Sequence, residues 1–220
     1  MIKNKLVKET IKIQRADLGF INELIDICRK CFPSSLMEIA PRPIAQKRWK
    51  LLLTSPSVET YLISVNNKIV GFYVIIIDLF GYTQERANIS LFNKIVFFIG
   101  EVSGILSHPY LVGYIINKLK KRLNFSIKKK SILDGSQMKD AALNKTVWGE
   151  LQGILPDYQG KGLAKCMQQF ILNRSIEINK EFIAGNVEAD NLGTRALLES
   201  FGYIATSESY AGIIYKKPLK

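Results

Sequence analysis

ILPDYQGKGLAK, residues 154–165, sets two glycines and two lysines in one polar turn between an apolar run and a long helical pattern. A Walker A loop needs GxxxxGK followed by Ser or Thr, whose hydroxyl meets magnesium. Here Gly162 follows Lys161, which excludes it. A dinucleotide fingerprint needs GxGxxG, and Lys165 stands where the third glycine belongs. What remains is Gln-Gly-Lys-Gly-Leu-Ala between a strand that ends at Pro156 and a helix. Glycines let a backbone approach a ligand closely, and the first N–H groups of a helix favour an anion there. A tight strand-to-helix turn with no ligand uses the same residues, so the loop alone leaves both readings open.

Outward from the loop, the patterns alternate. Residues 10–16, TIKIQRA, read as a strand, and 17–32 as a helix opened by Asp17 with apolar residues at Phe20, Leu24, Ile25 and Cys28. Residues 43–53 read as a second helix with proline in its first turn. ETYLISV and KIVGFYVIIIDL flank Asn66-Asn67-Lys68 as a hairpin. Residues 80 to about 145 break the rhythm, with helices expected near 88–105 and 109–123. After them come a strand at 146–155, a helix at 162–180, the strand FIAGNV, a helix at 191–201 and a closing pair of strands. This order predicts a mixed α/β layer fold in one domain over 1–220, with a mostly helical insertion at about 80–145 between strands 3 and 4.

The chain has 220 residues and a net charge of +12. Residues 80–145 hold 11 Lys and Arg against 4 acids, and 118–122 reads KLKKR. Such a run is a solvated face or a seat for an anionic partner. The runs KLKKR (118–122) and KKK (128–130) contain no aromatic and no base-reading module is present, so nucleic acid is not expected as a partner. The most apolar stretch, 88–107, is interrupted by Lys94 and Glu101, which argues against a membrane span. Three cysteines and no apolar leader after the charged first ten residues point to reduced thiols and the cytoplasm. Cys28 and Cys31 form a lone CxxC without the two further ligands zinc needs, so no metal is expected.

Residues 154–164 resemble the acyl-CoA-binding motif of the GNAT superfamily of N-acetyltransferases, a strand ending in V-x-P followed by Gln/Arg-x-x-Gly-x-Gly/Ala. Ile154, Pro156, Gln159, Gly162 and Ala164 match it. DNLGTRALLESFGY, residues 190–203, is similar to the motif that follows it in that family. The resemblance covers 10–79 and 146–217 and implies a GNAT fold: a splayed, mostly antiparallel sheet with helices on both faces. It implies no resident cofactor and acyl-CoA as co-substrate, its pyrophosphate on the N–H groups of Gly160, Lys161, Gly162, Leu163 and Ala164. Gln159 belongs to the same motif. The pantetheine arm would pair with the backbone of Ile154, the acyl carbonyl would lie near Gln152, and Asn191 would order the coenzyme arm.

Acyl transfer to an amine needs a base for the nitrogen and stabilisation of the developing oxyanion. By strand alternation Trp148, Glu150, Gln152 and Ile154 share one face, and Glu150 is the expected base, with Trp148 lining the acceptor side. The family's usual proton donor, a tyrosine seven residues after Asn191, is Leu198 here. Tyr158, Tyr203 and Tyr210 are the alternatives, and His108, in the insertion, is expected in a turn or the core. The insertion is similar to that of bacterial GNAT enzymes acting on nucleotide-linked amino sugars for surface polysaccharide. That resemblance implies such an acceptor, and Lys118, Lys121 and Arg122, three and four apart on one helical face, are the cations expected to bind its diphosphate. Protein, peptide or small-amine acetylation, and a non-catalytic acyl-CoA-binding module, stay open, as does a homodimer.

Overall fold

The computed structural model describes residues 10–33, 40–89, 144–209 and 212–219. Strand β1 (Ile11–Arg15) leads through a short 3-10 turn, capped by the Asp17 carboxylate on the Gly19 N–H, into α1 (Ile21–Cys31). Helix α2 (Arg42–Thr54) starts with proline in its first turn. Strands β2 (Val58–Val65) and β3 (Lys68–Ile76) close on Asn66-Asn67, with φ of 50° and 65°. Two left-handed residues make the hairpin turn whose twist matches the strands, and asparagine tolerates that backbone.

Helix α3 (Leu79–Ala87) follows at once, its N-terminus capped by Asp78 on the Gly81 N–H at 3.0 Å. It occupies the first residues of the stretch read as an insertion, and it ends where a helix is expected to begin. Asn88 forms its C-cap. The expected helices at 88–105 and 109–123 otherwise lie outside the described residues. The chain resumes with β4 (Thr146–Ile154), α4 (Leu163–Glu177), β5 (Phe182–Val187), α5 (Leu192–Ser200), β6 (Ile204–Ser209) and β7 (Gly212–Pro218).

The seven strands form one sheet in the order β1-β2-β3-β4-β5-β7-β6, antiparallel except between β4 and β5. Every residue of β2 is buried, as expected of a strand paired on both edges and covered on both faces. On one face Phe72 meets the Trp49 ring of α2 edge-on, with centroids 5.5 Å apart. On the other, Tyr61 meets Phe170 of α4 at 4.8 Å. Helices therefore cover both faces of a mostly antiparallel sheet, in agreement with the expectation.

β4 and β5 pair only from Thr146 to Gly149 and from Phe182 to Gly185. β4 then runs five residues further with no partner on that edge among the described residues, about 16 Å of open strand. This is the splay.

Below α4 lies a buried charge. Glu59 on β2 is 2% exposed and accepts two hydrogen bonds from Arg174 of α4, at 2.7 and 3.0 Å, and one from the Tyr61 hydroxyl at 2.7 Å. Arg15 stands at 3.5 Å. Burial pushes the Glu59 carboxyl up, but the bonds from Arg174 and Tyr61 outweigh it and hold it below the usual glutamate value. The stability this contributes is complete above the unfolded glutamate value and is lost as pH falls through the lower folded one. Arg174→Ala is expected to cost about 3 kcal/mol, the low end for breaking a buried pair, since Arg15 remains nearby. Arg15→Ala, whose side chain is 58% exposed, is expected to cost at most about 1 kcal/mol. Chemical denaturation of both variants checks the ranking, and equal losses would reject it.

Candidate active site

The loop after β4 is tied at both ends. The Leu155 N–H donates to the Val70 carbonyl at 2.8 Å, and the Gln159 side-chain amide donates to the Ile154 carbonyl at 2.9 Å. A 3-10 turn over Pro156–Tyr158 then delivers Gly160 and Gly162, with φ of 73° and 81°. Gly162 is the N-cap of α4 and offers no side chain to its free N–H groups. A Cβ built on either glycine would have no atom within 4 Å. The result is an open, left-handed backbone cradle ending in the first turn of a 15-residue helix, with the charge preference of a helix N-terminus. Gln159, Gly160, Lys161 and Gly162 are exposed, Leu163 is buried and Ala164 partly buried. Leu163 therefore offers the cradle its backbone and sends its side chain into the core.

Gln159 bonds within its own loop. Its amide already holds the Ile154 carbonyl, so only the Ile154 N–H is left to face the splay. Two residues back, Gln152 has a buried side-chain nitrogen with no hydrogen-bond partner. An unsatisfied buried donor costs free energy unless something binds it.

The alternation along β4 is broken. Val74 faces Leu151 and Ile75 faces Gly149, so Glu150 is the extra residue of a β-bulge. The bulge overturns the expectation that Trp148, Glu150, Gln152 and Ile154 share a face. Gln152 pairs with Tyr73, which turns toward α4, while Trp148 pairs with Ile76 and lies on the α1–α2 face with Phe72 and Val74. The Tyr73 hydroxyl sits so close to Gly149 that a Cβ there would fall 2.6 Å away.

Glu150 keeps an open face, yet the bulge roots it among Trp148 and the α3 residues Tyr82 and Arg86. Burial pushes its carboxyl above the usual glutamate value, opposed by the Arg86 charge and a hydrogen bond from Trp148. A carboxyl raised above the usual glutamate value beside an open strand edge suits a general base. Arg86 lies over the Tyr82 ring at 5.6 Å. These two residues were absent from the sequence-based site because they fall in the segment read as insertion. Their signal was the Asp78 cap followed by an aromatic and an arginine four residues apart, one face of a helix.

The Asn191 side-chain oxygen caps α5 by accepting the Thr194 N–H at 3.0 Å. Leu198 is buried in the core and carries no proton. Tyr203 is also buried, its hydroxyl accepting from Gln168 at 2.6 Å, and burial pushes its phenol upward, which weakens it as an acid. Tyr158 lies in the cradle loop, 4.8 Å from the Lys161 ammonium. Cys28 is buried on α1 with Cys31 partly buried beside it, and no group of three metal-binding side chains occurs among the described residues. No described helix is long and apolar enough to cross a membrane. Lys118, Lys121, Arg122, His108 and Tyr210 lie outside the described residues.

The sequence matches no protein-family model and no curated protein. Solved structures do match it along nearly its whole length. The ribosomal-protein-S18-alanine N-acetyltransferase of Escherichia coli aligns with a TM-score of 0.54 at 12% identity, covering 96% of this chain and 95% of that one. The PaiA N-acetyltransferase of Thermoplasma acidophilum, in complex with coenzyme A, aligns at 0.57 and 8% identity, covering 95% and 99%. YncA of Salmonella typhimurium, with acetyl-CoA, aligns at 0.55 and 11%, covering 96% and 94%. At such identities the likeness speaks for architecture alone: this chain has the fold of the GNAT acetyltransferases.

Proposed function

We propose that the chain is an acyl-CoA-dependent N-acetyltransferase. The observation that carries this reading is the open cradle of Gly160 and Gly162 at the N-terminus of α4, where β4 has left β5. A ligand entering the splay meets an unpaired strand edge, and at its end a seat for phosphate. The unpartnered nitrogen of Gln152 fits a carbonyl acceptor in the same groove. Coenzyme A and acetyl-CoA in two of the similar structures support this choice of ligand.

The thioester supplies an acyl carbon activated toward nitrogen. Glu150 takes a proton from the acceptor ammonium, directly or through one water. The freed amine bonds to the acyl carbon, the carbon–sulfur bond breaks, and the surplus proton of the new amide nitrogen leaves with the thiolate. Gln152 is the donor available to the carbonyl oxygen as it gains charge. This route needs no tyrosine at Leu198, and it predicts slower chemistry than a route with a dedicated acid, by about 10²-fold or more.

For the acceptor we infer an amine carried on a nucleotide-linked sugar. The support is the basic run at 118–122: the coenzyme's pyrophosphate has its own seat, so Lys118, Lys121 and Arg122 are spare cations for a second diphosphate. Neutralising these three is expected to raise the acceptor KM at least about tenfold and leave that of the donor unchanged. Equal turnover of the free and the nucleotide-linked amino sugar would reject this acceptor class.

Coenzyme A at a hundredfold excess over its Kd is expected to stabilise the protein by about 2.7 kcal/mol, read as a rise in Tm. Gly162→Asp keeps a residue that tolerates the left-handed backbone but places a negative side chain in the cradle, and should abolish the rise. An undiminished rise would remove the cradle from the site.

Glu150→Gln is expected to lower kcat about 10²-fold or more with coenzyme affinity nearly intact, and to weaken the acidic limb of the pH–rate profile. A carboxyl raised by folding contributes stability below its unfolded value and loses it as pH rises through the folded one. The variant should therefore be no less stable than the parent at neutral pH. Turnover within a few-fold of the parent at every pH would place the base elsewhere.

A further inference from the structure

Helix α3 is fastened to the sheet at both ends by one buried residue. The Ser57 carbonyl accepts the Ile77 N–H at 2.8 Å, just ahead of the helix, and the Ser57 hydroxyl donates to the Glu85 carboxylate near the helix end at 2.5 Å. The approach is so close that a Cβ on Gly81 would fall 2.7 Å from that hydroxyl. In this way α3 is held where it packs on β4. The same contacts occupy the acids of this segment: Glu85 is taken by Ser57, and Asp78 by the Gly81 N–H. Arg86 is left with neither. It is exposed, its guanidinium stands 5.6 Å from the Tyr82 ring centroid, and it makes no ion pair among the described residues.

The charge that Arg86 acts on is Glu150, which is exposed too and likewise makes no ion pair among the described residues. An aromatic ring that takes the face of a guanidinium fixes its position and leaves its edge donors open. The expected base therefore has a cation for a neighbour, and the two are not joined. We infer that Glu150 and Arg86 together receive an acceptor that carries its amine beside an anionic group, the ammonium at Glu150 and a carboxylate or phosphate at Arg86; this rests on the reading of Glu150 as the base of an acyl-CoA enzyme. A simple ammonium approaching Glu150 is repelled by Arg86, whereas an acceptor with both charges is attracted at both ends. Once Glu150 has taken the proton, its pull on the nitrogen is gone. The contact to Arg86 then keeps the neutral amine in place for attack on the acyl carbon. A guanidinium grips carboxylate and phosphate in the same two-pronged way, so both sources share the required chemistry. A phosphate agrees with the sugar-linked acceptor proposed above, and a carboxylate points to an amino acid.

Steady-state kinetics with acetyl-CoA and two matched pairs of acceptors test this: glucosamine 1-phosphate against glucosamine, and alanine against alaninamide. In at least one pair the anionic member is expected to have a kcat/KM higher by about tenfold or more, as a charge-assisted, two-pronged contact provides. The pair that shows the preference identifies the source of the anion. Arg86→Gln should shrink it below about threefold, mainly by raising the KM of the anionic member. Arg86→Lys, a point charge without the fork, should restore it in part. The ratio within a pair cancels whatever Arg86 does to Glu150 itself. Arg86 is exposed, so both variants are expected to fold, and unchanged denaturation curves check this. A parent that favours neither anionic member overturns the inference, as does a preference that survives in Arg86→Gln. Turnover of none of the four acceptors, while coenzyme A still raises the Tm, overturns it too and leaves the acyl-CoA reading standing. If coenzyme A gives no rise and nothing turns over, that reading fails, and this inference with it.

Discussion

β4 has to satisfy two neighbours that run in opposite directions. Its antiparallel partner β3 follows it to Ile154, while its parallel partner β5 leaves after the Gly149–Gly185 pair. The extra residue at Glu150 falls at that parting. A bulge increases local twist and bends the strand that carries it, so the strand turns where its second partner is lost. Everything proposed for the site is measured from this point. The open edge lies on one side of it, and the strand's end delivers the loop and α4 at a fixed distance further on. The backbone groups exposed by the parting are only partly satisfied internally, by Gln159 on the Ile154 carbonyl.

The two acidic residues that matter most are treated in opposite ways. Desolvation disfavours the charged forms of both, although Glu59 is buried and Glu150 keeps an exposed side. Glu59 receives a two-pronged arginine and a tyrosine hydroxyl, and stays ionised as a structural pin between β2 and α4. Glu150 receives one hydrogen bond from Trp148 and the charge of Arg86, which makes no ion pair with it among the described residues. Its charge is therefore left easier to neutralise. A fully satisfied carboxylate serves stability, and an under-satisfied one retains the capacity to accept a proton.

Much of this architecture could be read from local pattern. The Asn66-Asn67 turn, the Asp17 cap, the proline in α2 and the glycine loop each announce their geometry through residues adjacent in sequence, and β5 matches its expected span, FIAGNV. What escaped was non-local. A bulge depends on register against β3, which no residue of WGELQ declares, so strict alternation placed Trp148 with Gln152. The pairing of Glu59 with Arg174 joins residues on two elements that only the packed fold brings together. Tyr82 and Arg86 are hidden because the change in rhythm at residue 80 reads as the start of an insertion, although α3 packs onto β4. The strand-to-helix turn at Gly160 and Gly162 was legible in the sequence. The fact that Gln159 turns inward to its own strand was not, since an amide gives no sign of which way it will bond.

β3 and β4 also determine what happens to the chain between them. Ile76 and Trp148 are directly paired, so the long connection from 77 to 145 leaves and rejoins the sheet at neighbouring points. Closing a flexible connection between two fixed points costs entropy that grows only with the logarithm of its length, about 0.6 kcal/mol for each doubling. By this entropy alone, lengthening the connection changes the cost of holding Ile76 opposite Trp148 by little. The point of return lies on β4, the strand that carries the bulge at Glu150. The length of this one connection is thereby uncoupled from the register of the strands that carry the bulge and the glycine turn.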